Sequence, residues 1–270
     1  MVIPQSQLAS VGTIRITVGG ASRDLSVTSN GITVLSAGVV NAASFQSGSF
    51  SPGELITIFG AGFGPPNLTG TTVDPQGLVS NLVGETRVLF DGIPAPLIYS
   101  TRGQLSTLIP YFAAQRSSVS MQVEYQGAAS APVVLAIVPS APGVFTANSS
   151  GRGQAAAVNE DGSLNSSSNP AARGSVIVLY ATGEGQTNPA GRDGQTAIGA
   201  VLPAPVLPVT VRVNGVLAEV LYAGAAPGFV AGVMQVNVRV PGGVPADNAL
   251  PVVLNVGGVN SRLDVTVAVK

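Results

Sequence analysis

The sequence predicts an all-β chain, two antiparallel sandwiches in tandem preceded by one extra hairpin. Three observations predict it. Short valine-rich runs alternate apolar and polar residues, with Gly and Pro clusters between them roughly every 8–12 residues. One three-strand pattern occurs twice. No stretch sustains a helical apolar period with caps, so the crossover helices of a parallel sheet are missing.

The repeated pattern is clearest at residues 211–240, VRVNGVLAEVLYAGAAPGFVAGVMQVNVRV. Asn214-Gly215 supplies the positive-φ pair of a two-residue hairpin. Val211 and Val213 share one face, and Val236, Val238 and Val240 alternate with Gln235, Asn237 and Arg239. An earlier copy runs from Val88 through Asp91-Gly92 to Leu97-Ile98-Tyr99, and residues 104–110 answer residues 235–241. Duplication of one β-unit is the consequence. A longer loop at 224–233 is expected to be the main difference between the copies.

Taken in order, TIRITV (13–18), Gly19-Gly20 and LSVT (25–28) make a hairpin. ITVL (32–35) is a short strand, and LITIF (55–59) reads as a buried one, ended by Gly60-Ala61-Gly62-Phe63-Gly64. Residues 86–110 hold the first three-strand unit, with at most a turn of helix near Ala113-Ala114-Gln115 after it. A hairpin over 120–138 closes that half. Pro139-Ser140-Ala141-Pro142-Gly143 marks the boundary, because prolines impose an extended, semi-rigid link. SVIVLY (175–180), ending in Gly183-Glu184-Gly185, repeats the segment 53–64. A last hairpin over 252–267 turns at Gly257-Gly258. The expected units are therefore 1–31, 32–140 and 141–270.

Composition narrows the function. Charged residues are 9% of the 270, with net charge −1, so no basic stripe exists to hold phosphates and nucleic acid is not an expected partner. The chain has no His, Cys or Trp, which removes the usual general base, thiolate chemistry and disulfides. No apolar run approaches the ~18 residues that span a membrane, so membrane insertion is not expected. MVIPQSQLAS lacks the basic and apolar regions of a signal peptide, which implies a signal already removed or a piece of a longer protein. A surface so poor in charge is weakly protected against self-association.

Several long runs carry a family resemblance: VVNAASFQSGSFSPGELITIFGAGFG, IPAPLIYS, APGVFTANSSGRGQAAAVNEDGSLNSSSNPAARGSVIVLYATGEG and LAEVLYAGAAPGFVAGVMQVNVRVP. Over residues 39–270 the chain resembles the Solibacter-type uncharacterised C-terminal domain of acidobacterial secreted proteins. Each half also resembles an IPT/TIG-type immunoglobulin-like fold. The resemblance implies an extracellular or cell-surface, non-catalytic module, and it carries over no catalytic residue.

Candidate chemistry is sparse. Gly60, Gly62 and Gly64 follow a strand, but no helix comes after them to present its N-terminus to a phosphate, so strand-end glycines are the better reading. Residues 159–165, NEDGSLN, gather calcium-type oxygens without the distal bidentate glutamate; an Asx-rich turn fits better than a weak calcium loop. Glu184 and Asp193 are the one carboxylate pair worth weighing for glycoside hydrolysis, against the plainer reading of solvated loop charges. Tyr99 and Tyr222 hold equivalent places and read as structural rather than sugar-stacking. Three sequons, at Asn67, Asn148 and Asn165, read as chance in a Ser- and Asn-rich chain.

The expected function is a structural or adhesive module that uses no covalent chemistry, cofactor or metal. Its expected partners are copies of itself or neighbouring extracellular domains. A carbohydrate-binding accessory module, with surface glycans as partner, is the alternative. The N-terminal hairpin is expected to be either the remnant of a preceding domain or a docking element acting through Ile14, Ile16, Val18, Leu25 and Val27, which align with Val252, Leu254, Val256, Leu263 and Val265 about the Gly-Gly turns. A lone hairpin is marginal in water. Burying those side chains contributes roughly 8–15 kcal/mol as an upper bound, in cis or by adding strands to a neighbour.

Overall fold

The structure is a computed structural model that describes residues 31–270 in full and, before them, the backbone of two strands. These are β1 (Thr13–Val18) and β2 (Ala21–Ser26), paired antiparallel with Ile14 opposite Leu25 and Val18 opposite Ala21.

The first half opens with β3 (Thr33–Asn41), β4 (Ser49–Phe50), β5 (Leu55–Ala61) and β6 (Thr69–Gly70). It continues with β7 (Thr86–Phe90), β8 (Ile93–Ala95), β9 (Leu97–Thr101) and β10 (Gln104–Leu108). After a 3₁₀ turn at Tyr111–Gln115 come β11 (Ser118–Tyr125), β12 (Ala128–Ala129) and β13 (Val133–Ile137). One sheet has the order β3-β5-β10-β9-β6 and the other β4-β13-β11-β7-β8. Alternation decides which face each strand buries. Val119, Met121 and Val123 of β11 point inward with Val88 and Phe90 of β7, while Arg87 is exposed. Ile56, Ile58, Leu97 and Leu105 of the facing sheet complete this core.

The second half runs β14 (Gly143–Val144), β15 (Gly153–Gln154), β16 (Ala157–Asn159), β17 (Val176–Thr182), β18 (Thr187–Asn188) and β19 (Ala204–Pro205). Then follow β20 (Val209–Val213), β21 (Val216–Ala225), β22 (Met234–Arg239), β23 (Asp247–Val256), β24 (Val259–Asn260) and β25 (Val265–Val269). The main path is β14-β17-β22-β21-β20-β23-β25-β15. Its core contains Val211, Val213, Val236, Val238 and Val240, the residues that the alternation places inward.

The two halves repeat one set of pairings. Val88 lies opposite Ala95 as Val211 lies opposite Ala218, and Phe59 opposite Gln104 as Tyr180 opposite Gln235. Both hairpin turns have positive φ at two successive residues, Asp91 (49°) and Gly92 (82°), then Asn214 (49°) and Gly215 (78°). That is the turn whose twist matches paired strands. The β9–β10 connection is tight, whereas residues 226–233 form the longer loop between β21 and β22.

Proline accounts for the main departure. In the second half β21 is continuous: its first residues pair with β20, and from Glu219 onward it pairs with β22. In the first half the same path breaks at Pro96 into β8, paired with β7, and β9, paired with β10. Proline has no N–H for a ladder. Its carbonyl is satisfied sideways by the Thr107 hydroxyl, 2.7 Å away. The first half therefore has two separate sheets and the second has a sheet bent around its core. This all-β architecture is the immunoglobulin-like sandwich expected from the sequence.

Candidate functional site: the junction between the sandwiches

Residues 139–142 pass between the sandwiches and are gripped from both sides. Asn41, at the end of β3, donates through Nδ2 to the Ala141 carbonyl (3.1 Å) and to Glu54 Oε1 (2.8 Å). From the other side Ala141 N–H donates to the Gly183 carbonyl at 2.9 Å. Gly183 (φ 89°) and Gly185 (φ 80°) must be glycine twice over: a Cβ at either would collide with the carbonyl of Ala141 or Pro139.

Tyr111, on the 3₁₀ turn of the first half, is the rivet. Its ring lies between Gly53 of its own half and Gly191 of the other, and a Cβ on either glycine would strike it. Its N–H donates to Asp193 Oδ1 (2.9 Å), and its carbonyl accepts from Gln186 Nε2 (3.0 Å). Also at the junction, Leu55, Leu108, Ala226 and Val233 form a buried apolar cluster drawn from both halves, with Phe145 and Tyr180 packed against them. Farther out, Thr196 N–H donates to the Gly77 carbonyl (2.8 Å), and Val79 N–H to the Gly194 carbonyl (2.9 Å).

Two glutamates sit at this junction. Glu54 has no exposed surface and accepts from Asn41, from Ser51 N–H (2.6 Å) and from Ser51 Oγ (3.2 Å). Burial nevertheless pushes its carboxyl up to about 8; those donors oppose the shift and the Glu184 charge adds to it. Glu184 is 3% exposed, and burial pushes it up to about 7 against its own amide and that of Gly183. Its Oε2 is buried with no hydrogen-bond partner. Burial also raises Asp193, opposed by the Tyr111 N–H, and raises the Tyr111 phenol, with help from the charges of Glu184 and Asp193.

This corrects the expectation that Glu184 and Asp193 are solvated loop charges. Glu184 is buried because its two flanking glycines let the turn close directly onto the linker, and Asp193 is half-buried against Tyr111. Two surface hollows lie at residues 260–264 with Gln46, and at residues 246–248 with Pro170 and Val269-Lys270.

The other candidates resolve into architecture. Gly62 (φ 77°) and Gly64 (φ 78°) pack against the carbonyls of Gly31 and Thr101, as strand-end glycines should. In the 159–165 loop, Asp161 accepts from Ser163 N–H (3.0 Å) in an Asx turn. Asn165 is buried and bonds Asn159 and both the N–H and the carbonyl of Ala268, each at 2.8–2.9 Å. Among the described residues no group of three or more acidic side chains gathers as a metal site. Tyr99 accepts from Gln104 (2.7 Å) and Tyr222 donates to the Ala225 carbonyl (2.7 Å), both half-buried. Of the proposed docking set, the side chains of Ile14, Ile16, Val18 and Leu25, and Val27 as a whole, lie outside the described residues.

Sequence reasoning missed Glu54 and Tyr111. A signal for Glu54 was present: it is the sole charged residue between Asp24 and Asp74. Glu184 is likewise alone between Arg173 and Arg192. A single carboxylate in so long an uncharged stretch, beside an apolar strand, points to a built environment for it. Tyr111 has no comparable signal, since its neighbours across the junction are distant in sequence.

Comparison with curated proteins finds no match. Residues 39–137, the first sandwich almost from end to end, match the model of the IPT/TIG domain family, whose members are generally non-catalytic immunoglobulin-like modules of adhesion and interaction.

Proposed function

We propose that this chain is a non-catalytic, extracellular structural or adhesive module that works by association. The single observation that carries the reading is the IPT/TIG match over the first sandwich. The junction supports it, because both buried glutamates sit in the contact between the two sandwiches and hold the linker through Asn41 and Gly183. Secretion and the acidobacterial setting rest on the resemblance of the sequence runs and form part of the proposal.

In this reading the N-terminal hairpin docks by adding its strands to a sheet edge of a neighbouring copy. A head-to-tail contact of that kind propagates unless rotation closes it, so it builds a filament. The test is light scattering of the full chain against a variant lacking residues 1–30. Concentration-dependent growth in mass that disappears on deletion is expected. An unchanged monomer in both would remove assembly from the proposal. Surface glycans are the other partner class, and binding on a glycan array by a chain that stays monomeric would favour them instead.

A further inference from the structure

Where the sandwiches meet, four titratable groups come together, and they are all acids: Glu54 ahead of β5, Glu184 in the turn after β17, Tyr111 on the 3₁₀ turn and Asp193 in the loop beyond β18. Among the described residues no cation pairs with them. The ion pairs of the described residues lie elsewhere, at Arg116–Asp91, Arg152–Asp264, Arg239–Glu219 and Arg262–Asp264, and Arg192, next to Asp193 in the chain, is exposed. Glu54 grips the linker through Asn41, and Glu184 closes on the same linker through Gly183. Each glutamate is therefore built into one jaw of the contact, and Glu184 has an oxygen with no partner.

We infer that Glu54 and Glu184 make the junction a proton-gated latch, closed while the pair retains protons and loosened when both carboxylates ionise. A buried carboxylate without a cation is costly to ionise, and its neighbour's charge adds to that cost. Opening the junction returns both groups to water, where their ordinary titration near 4.5 is restored. Protons are thus bound more tightly by the closed form. Closure is favoured fully below the open-form value, and the advantage is lost as pH rises through the closed-form values of about 7 and about 8. Asp193 and Tyr111 act in the same direction, because both are raised in the closed form.

The test is hydrogen exchange of the intact chain between about pH 5 and pH 8, corrected for intrinsic exchange rates. The junction amides of Leu55, Tyr111 and Ala141 are read against the core amides of Val88 and Val236. Junction protection is expected to fall at least about tenfold per pH unit from about pH 5 to about pH 7, and to stay below core protection, which global unfolding sets, at every pH. Glu54→Gln with Glu184→Gln should flatten that response. Glu184→Gln alone should lessen it, and this variant decides the matter if the double one does not fold. Junction protection in the wild type that is flat with pH overturns the latch. So does an unchanged pH response in Glu184→Gln or in the double variant.

Discussion

The amide of Leu55 donates to the hydroxyl of Thr182 across the junction, 2.8 Å between heavy atoms and 127 residues apart in the chain. Both residues are buried, so the N–H has no water to fall back on. Thr182→Val preserves the shape and removes the acceptor. It is expected to cost about 1–3 kcal/mol, the penalty of an unsatisfied buried donor, in chemical denaturation.

Gly191→Ala places a methyl group into the ring of Tyr111. Its backbone has no positive φ, so the effect is steric. Overpacking is expected to cost about 1–3 kcal/mol. A double-mutant cycle with Tyr111→Leu checks the cause, since most of the loss should vanish once the ring is gone.

Global stability should follow the buried acids as well. Glu54 and Glu184 are raised when folded, to about 8 and about 7 from 4.5, so their stabilising effect is complete below about pH 4.5 and declines as pH rises through those values. For Glu184 the loss is on the order of 3 kcal/mol. Thermal melts from about pH 5 to pH 9 should show the wild type losing stability while Glu184→Gln changes less. At the alkaline end the variant should be the more stable protein.

Leu108 is fully buried in the apolar cluster shared by the two sandwiches. Leu108→Ala is expected to cost about 2–5 kcal/mol, from lost transfer energy and the cavity left behind. Because that contact couples the halves, calorimetry should also split one unfolding transition into two.

Asn165 knits its loop to the last strand through Ala268 and to Gln154. Asn165→Ala should therefore destabilise the protein by about 1–3 kcal/mol. Added calcium is expected to leave the melting temperature of the wild type unchanged, as an Asx turn requires and a cation loop does not.

Much of the fold was legible because β periodicity is a local property. The alternation at Val211, Val213, Val236 and Val238 already says which face is buried, and Asp91-Gly92 and Asn214-Gly215 already say where the chain reverses. The break at Pro96 was local too, although its effect on the sheets depends on the strands on either side. The candidate site was hardly legible. Tyr99 and Tyr222 recur and drew attention, yet each serves its own hairpin. Tyr111 does not recur, and it joins the two halves.

The sequence by itself determined an all-β duplicated chain, its turns, its inward-facing residues and the lack of His, Cys and Trp. Each of these follows from side-chain chemistry or from spacing within a few residues. The tertiary structure decided the surroundings of the charges. Glu184 looks like an exposed loop acid until Gly183 and Gly185 bring its turn onto residues 139–142, and Glu54 is held through Asn41, which reaches Ala141. The cost of ionising a carboxylate depends on the water removed from it and on the charges brought near it. Both quantities are set by segments far apart in the chain, and only folding brings those segments together.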